Sequence, residues 1–249
     1  MEELLDKARR FLQELGRYGD LAKQTEPSRT FEILFAYFFE LEGVRLQYEA
    51  SLKEDDSKKV DFLYQTESEK KLGFELYRPE QSDPIKEEIK QRTDSFGYTL
   101  ELSSRDERKH LRPEAQTVRL QEKLISKVDK FPTPTDEVFS VIVVDCTEVQ
   151  LGMFDIKDAR MVMYGRTRNP AFQDWWEDQR VSGLCEDNHP HQSAPEFRKR
   201  VSAVIFVRNS QTFFDEAYAT LNIRRTEKHQ QVCREELLRL APLKKLIWV

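Results

Sequence analysis

The chain has 249 residues and a net charge of −5, with 34% charged and 39% hydrophobic residues. The apolar residues gather in runs such as Phe31–Leu41 and Phe139–Val144, a pattern that builds a core and excludes broad disorder. The acidic balance excludes a dedicated coat-type nucleic-acid binder, whose whole surface would be basic, and leaves any phosphate contact to a local patch.

Leu4, Leu5, Ala8, Phe11, Leu12 and Leu15 recur at helical spacing and predict a helix over 1–15. Pro27 and Ser28 open a second helix running to about Glu42, with Gly43 as its stop. Residues 44–50 have strand composition, and 53–59 form a charged turn. Residues 60–64 and 72–78 read as short strands joined by the polar stretch 65–71, which suggests a hairpin or meander. Pro79 breaks the last of these. Residues 83–92 read as a helix and 98–103 as a strand.

Residues 113–131 predict a long helix with proline at its start, ended by Pro132-Thr133-Pro134. The run 139–146 is the clearest strand, and its unalternated aliphatics imply burial on both faces. Residues 150–198, with Asn169-Pro170 and Trp175-Trp176, are read as an elaboration of a single domain over 1–249, serving as a lid or an interface. The paired tryptophans are better suited to anchoring that elaboration than to stacking bases. Residues 201–207 predict a second buried strand and 226–241 a terminal helix.

Cys146, Cys185 and Cys233 are odd in number and far apart, which argues against a disulfide framework. The residues Met1–Leu4 lack the character of a signal peptide. No apolar run approaches the ~20 residues of a spanning helix. The expectation is a soluble protein of the reducing cytosol with no membrane partner.

Three acids stand at informative places. Glu32 lies on the narrow polar stripe, with Arg29, Ala36 and Glu40, of an otherwise apolar helix. Asp61 lies in Val60-Asp61-Phe62-Leu63-Tyr64 and Glu75 in Gly73-Phe74-Glu75-Leu76-Tyr77-Arg78. Both strand acids are flanked by apolar residues, where a charge is costly without a partner or a metal.

A helical glutamate, a strand acid, a hairpin partner with a second acid, then a helix and further strands, resembles the PD-(D/E)xK nuclease superfamily over residues 28–145. The resemblance implies an α/β fold with a central mixed sheet flanked by helices, restriction-endonuclease-like. It implies Mg²⁺ or Mn²⁺ held by Asp61 and Glu75, with Glu32 supporting the metal site. The reaction implied is hydrolysis of nucleic-acid phosphodiester bonds, in which a hard cation on oxygen ligands stabilises the developing charge.

The chain departs from the family pattern in two places. The family's Pro-Asp is Val60-Asp61 here, and the expected lysine is absent. Side chains alternate along a strand, so Tyr77 shares the face of Glu75 and stands where that lysine would point, while Arg78 faces away. A bulge could re-aim Arg78, but an arginine is a poor base. Lys86 or Lys90 on the following helix could supply the amine, and Lys90 is the candidate taken. The alternative is a catalytically inactive nuclease-fold module used to bind nucleic acid or protein. A plainer reading of the acids is that Asp61 and Glu75 pair with Arg78, Arg45 or a lysine, or lie at a solvated edge, and that Glu32 is an ordinary first-turn acid favoured by the helix dipole.

Two further patterns are weighed. Arg119, Lys123, Lys127 and Lys130 recur at four, four and three residues, either as a basic stripe for phosphates or as the solvated face of an amphipathic helix. Cys185, His189 and His191, with Cys233 or His229, could bind zinc, but the paired Cys-x-x-Cys spacing is missing and an ordinary polar loop fits better. A homo-oligomer or a protein partner stays open.

Overall fold

The computed structural model describes residues 2–52, 58–80, 83, 86, 87, 90, 113–149, 154–165, 181–210 and 212–249. The strand expected over 98–103, the pair Trp175-Trp176 and most of the charged turn over 53–59 lie outside them. Among the described residues, seven strands form one mixed sheet in sequential order. They are β1 (Gln47–Ala50), β2 (Val60–Gln65), β3 (Lys71–Tyr77), β4 (Val138–Asp145), β5 (Ala203–Asn209), β6 (Phe213–Leu221) and β7 (Ile247–Trp248). The first three pair antiparallel, β3, β4 and β5 run parallel, β6 returns antiparallel, and β7 joins it in parallel.

Helices cover both faces, as a parallel centre buried on both sides requires. The first face carries α1 (Glu2–Leu15), α2 (Pro27–Leu41) and the terminal helix α6 (Glu227–Arg239). The second carries α3 (Pro113–Ser126), α4 (Ile156–Tyr164) and α5 (Ala194–Arg200). Strand β4 shows the division: Phe139, Val141 and Val143 enter the first core, and Ile142 and Val144 the second. The described part of 150–198, read above as an elaboration, supplies Phe154, Val162, Leu184 and Phe197 to the second core.

Helix α2 is apolar nearly all round, as a helix buried within a layer must be. Proline occupies its first turn. It ends in a Schellman motif: Gly43, at φ 75°, donates to Glu40 O at 3.0 Å, and Val44 donates to Phe39 O at 2.9 Å. This sharp stop explains why β1 begins at Gln47 and not at Val44. Phe35 lies at the centre of the first core, with its ring 4.5 Å from Phe39, 5.2 Å from Phe62 and 5.5 Å from Phe74.

The helix expected over 113–131 is interrupted. Ser126 Oγ donates to Lys123 O at 2.7 Å, offering that carbonyl a partner outside the helical ladder. The chain then tightens into a 3₁₀ turn over Val128–Lys130. Lys127, Lys130 and Phe131 each donate to the carbonyl three residues back. Residues three apart in such a turn eclipse one another, so Lys127 and Lys130 project together.

Replacing Phe35 with alanine should cost about 3–5 kcal/mol of unfolding free energy, read by urea titration, because its cavity is walled by other rings. A second expectation concerns His229, buried on α6 with Nε2 3.1 Å from Ser202 Oγ. Burial, aided by Arg225 and opposed by Asp136, pushes its imidazole from 6.5 to about 4. The unfolded chain therefore takes up a proton that the folded chain refuses, and this contribution to stability falls as the pH drops from 6.5 towards 4. The stability difference between wild type and His229→Gln should change across that interval, with the wild type losing more.

Candidate active site

The β2–β3 register brings the two strand acids together. The last paired residues are Phe62 and Phe74, so one step further Asp61 lies opposite Glu75. There the ladder gives way to a side chain, and Leu76 N donates to Asp61 Oδ2 at 2.7 Å. On its other side Glu75 is in register with Ile142 of β4, which leaves its carboxylate 0% exposed. A buried carboxylate is costly unless it is paired, hydrogen-bonded or protonated.

Lys127 and Lys130 provide the pairing. Lys127 Nζ lies 3.0 Å from Glu75 Oε1, and Lys130 Nζ lies 2.7 Å from Oε1 and 2.8 Å from Oε2. Lys130 also reaches Asp61 Oδ1 at 3.6 Å. Burial pushes the Glu75 carboxyl above its ordinary value, Asp61 adds to this, and the two ammonium groups work against it without cancelling it. For Lys130, burial disfavours the charge, but Asp61 and Glu75 outweigh it and raise its pKa.

Glu32 approaches Asp61 from α2. Both of its oxygens lie 2.8 Å from Arg29 Nη1, and Tyr48 OH donates to Oε2 at 3.2 Å. Burial, then the neighbouring Asp61, pushes its carboxyl up, while Arg29 and Tyr48 pull it down. The cluster thus sets Glu32, Asp61 and Glu75 against Arg29, Lys127 and Lys130.

The residues expected to supply an amine, Lys86 and Lys90, lie on the surface. Lys90 is exposed. Lys86 is exposed as well, 3.9 Å from Glu80 and 3.8 Å from Asp83. Among the described residues, the amines hydrogen-bonded to Glu75 belong to Lys127 and Lys130, two members of the row expected either to meet phosphates or to form a solvated helix face. That row divides: Arg119 and Lys123 stay exposed on α3, while the 3₁₀ turn sends the other two inward. The clue was present in their spacing of three ahead of Pro132. Tyr48, the hydroxyl partner of Glu32, carried no such signal.

Arg78 lies 3.6 Å from Asp145 and 3.1 Å from Glu148, on the face of β3 opposite Glu75. The zinc candidates are dispersed. Cys185 belongs to the second core and Cys233 to the first, and burial pushes each thiol up to about 12. His189 Nδ1 accepts from the backbone of His191, and its Nε2 faces Gln121 Oε1 at 3.4 Å.

Among the described residues, no group of three or more His, Cys, Asp or Glu side chains is arranged to hold a metal ion. Asp61 and Glu75 do offer hard oxygen donors beside one another. That suits Mg²⁺, which usually takes one or two carboxylates and completes its shell with water and substrate. No family model, no curated protein and no solved structure matches the chain.

Replacing Lys130 with methionine removes one of the two cations on Glu75. The variant should lose about 2–3 kcal/mol near neutral pH, less than a fully buried pair because the ammonium is partly exposed. Lys127 still holds Glu75 Oε1, and protonating Glu75 removes the charge left undercompensated, so the deficit against wild type should shrink as the pH falls. Paired urea titrations across the acid range would show it. A deficit that is constant with pH would contradict this account of Glu75.

Proposed function

We propose that this protein is a metal-dependent hydrolase of nucleic-acid phosphodiester bonds. In this reading it is a divergent PD-(D/E)xK nuclease on a restriction-endonuclease-like sheet, whose lysine comes from the turn after α3. The observation that carries the reading is the Lys130 ammonium, 2.7 Å from Glu75 and 3.6 Å from Asp61. Two carboxylates on adjacent strands already converge on one positive charge.

Asp61 and Glu75 would hold Mg²⁺ or Mn²⁺, which when bound stabilises the charge developing on the phosphate oxygens. Lys130 stands where that cation's charge is needed, and Lys127 takes the lysine role of positioning the attacking water. Glu32, oriented by Arg29 and Tyr48, holds a water beside Asp61. Arg119 and Lys123, exposed on α3, are left to meet substrate phosphates, which fix position without reading sequence. No helix among the described residues is long and apolar enough to cross a membrane. The three free thiols fit the reducing cytosol.

One observation favours a second reading, an inactive module that binds nucleic acid or protein. Both Glu75 oxygens already hold ammonium groups, and a cation must displace one of them to bind.

Cleavage of labelled DNA and RNA separates the two. With Mg²⁺ or Mn²⁺ the wild type should shorten at least one substrate, and Asp61→Ala should lower the rate by about a hundredfold or more. A folded wild-type chain that cuts neither substrate with either ion would overturn the hydrolytic reading. Nucleic-acid binding indifferent to the metal would then support the inactive module.

A further inference from the structure

Tyr77 has no part in the reading above, yet it occupies the strand position at which the resemblance expects a lysine. It lies two residues beyond Glu75 on β3 and shares its face. Its ring packs at the rim of the second core. The Lys127 ammonium stands 5.7 Å from the ring centroid, within the range at which an aromatic face attracts a cation. The same ammonium is 3.0 Å from Glu75 Oε1. Burial, with Glu80, pushes the phenol up against the pull of Arg119, to about 12, so the ring carries no charge of its own near neutrality.

We infer that Tyr77 is a positioning residue, whose ring seats the Lys127 ammonium against Glu75. A lysine entering from another element brings a long, flexible stem, and one carboxylate contact leaves its head free to swing. A ring on the second side limits that freedom. The strand slot has thus exchanged an amine for the surface that holds one. Its effect on rate rests on the hydrolytic reading; the seat itself does not.

Two readouts on the full chain test it. In carbon-13 lysine-labelled protein, the Lys127 ε-methylene signal, assigned by its loss in Lys127→Arg, should lie upfield of the other lysines through the ring current. Tyr77→Phe should keep that shift and Tyr77→Leu should lose it. In cleavage with Mg²⁺, Tyr77→Phe should stay within about twofold of wild type, while Tyr77→Leu should lower kcat about tenfold with KM held. The double variant Tyr77→Lys with Lys127→Ala should recover most of that loss, which a merely structural role for the ring would not produce.

An unshifted wild-type signal, or one that persists in Tyr77→Leu, would overturn the seat. So would Leu and Phe variants that cut equally well. If the wild type cuts nothing, the hydrolytic reading fails and the lysine signal still decides the seat.

Discussion

A carboxylate inside a sheet has no water to solvate it, so it must be neutralised by groups that reach it through the packing. Glu75 is such a carboxylate, held between β2 and β4 with none of its surface exposed. The demand it makes explains several features that would otherwise be unrelated. It explains why two lysines project from a 3₁₀ turn into the protein. Asp61 joins the same system because the register sets it opposite Glu75 and its second oxygen is satisfied by Leu76 N.

The electrostatics of the cluster are close to balance. Three carboxylates face three cations, and each acid has a partner at hydrogen-bonding or ion-pair distance. Such balance leaves each acid partnered without a metal, and a metal would have to compete for the site. The two functional readings differ only in whether Lys130 yields its place. Burial still holds the Glu75 carboxyl above its ordinary value, so the two ammonium groups do not fully repay its desolvation.

Much of this was visible in the residues themselves. Runs of aliphatics marked β4 and β5, the apolar helix with proline at its start marked α2, and alternation separated Tyr77 from Arg78. Strand β6 escaped because Asp215 and Glu216 interrupt its apolar pattern with two exposed acids in succession. Helix α4 escaped although Asp155 and Asp158 form a capping box, a signal the sequence does carry. The origin of the amine was not legible. Lys86 and Lys90 are nearer Glu75 along the chain, and chain proximity says nothing about which helix crosses a given sheet face. The break at Ser126 turned Lys127 and Lys130 from members of a surface stripe into partners of a buried acid.

In this reading Asp61 and Glu75 form a cation site whose charge Lys130 supplies when no metal is bound. Calorimetric titration of Mn²⁺ into wild type and Lys130→Met measures that exchange. Binding should be severalfold tighter in the variant and abolished when Glu75→Gln is added. Equal and negligible heats in wild type and Lys130→Met would contradict it and leave the cluster a structural ion network.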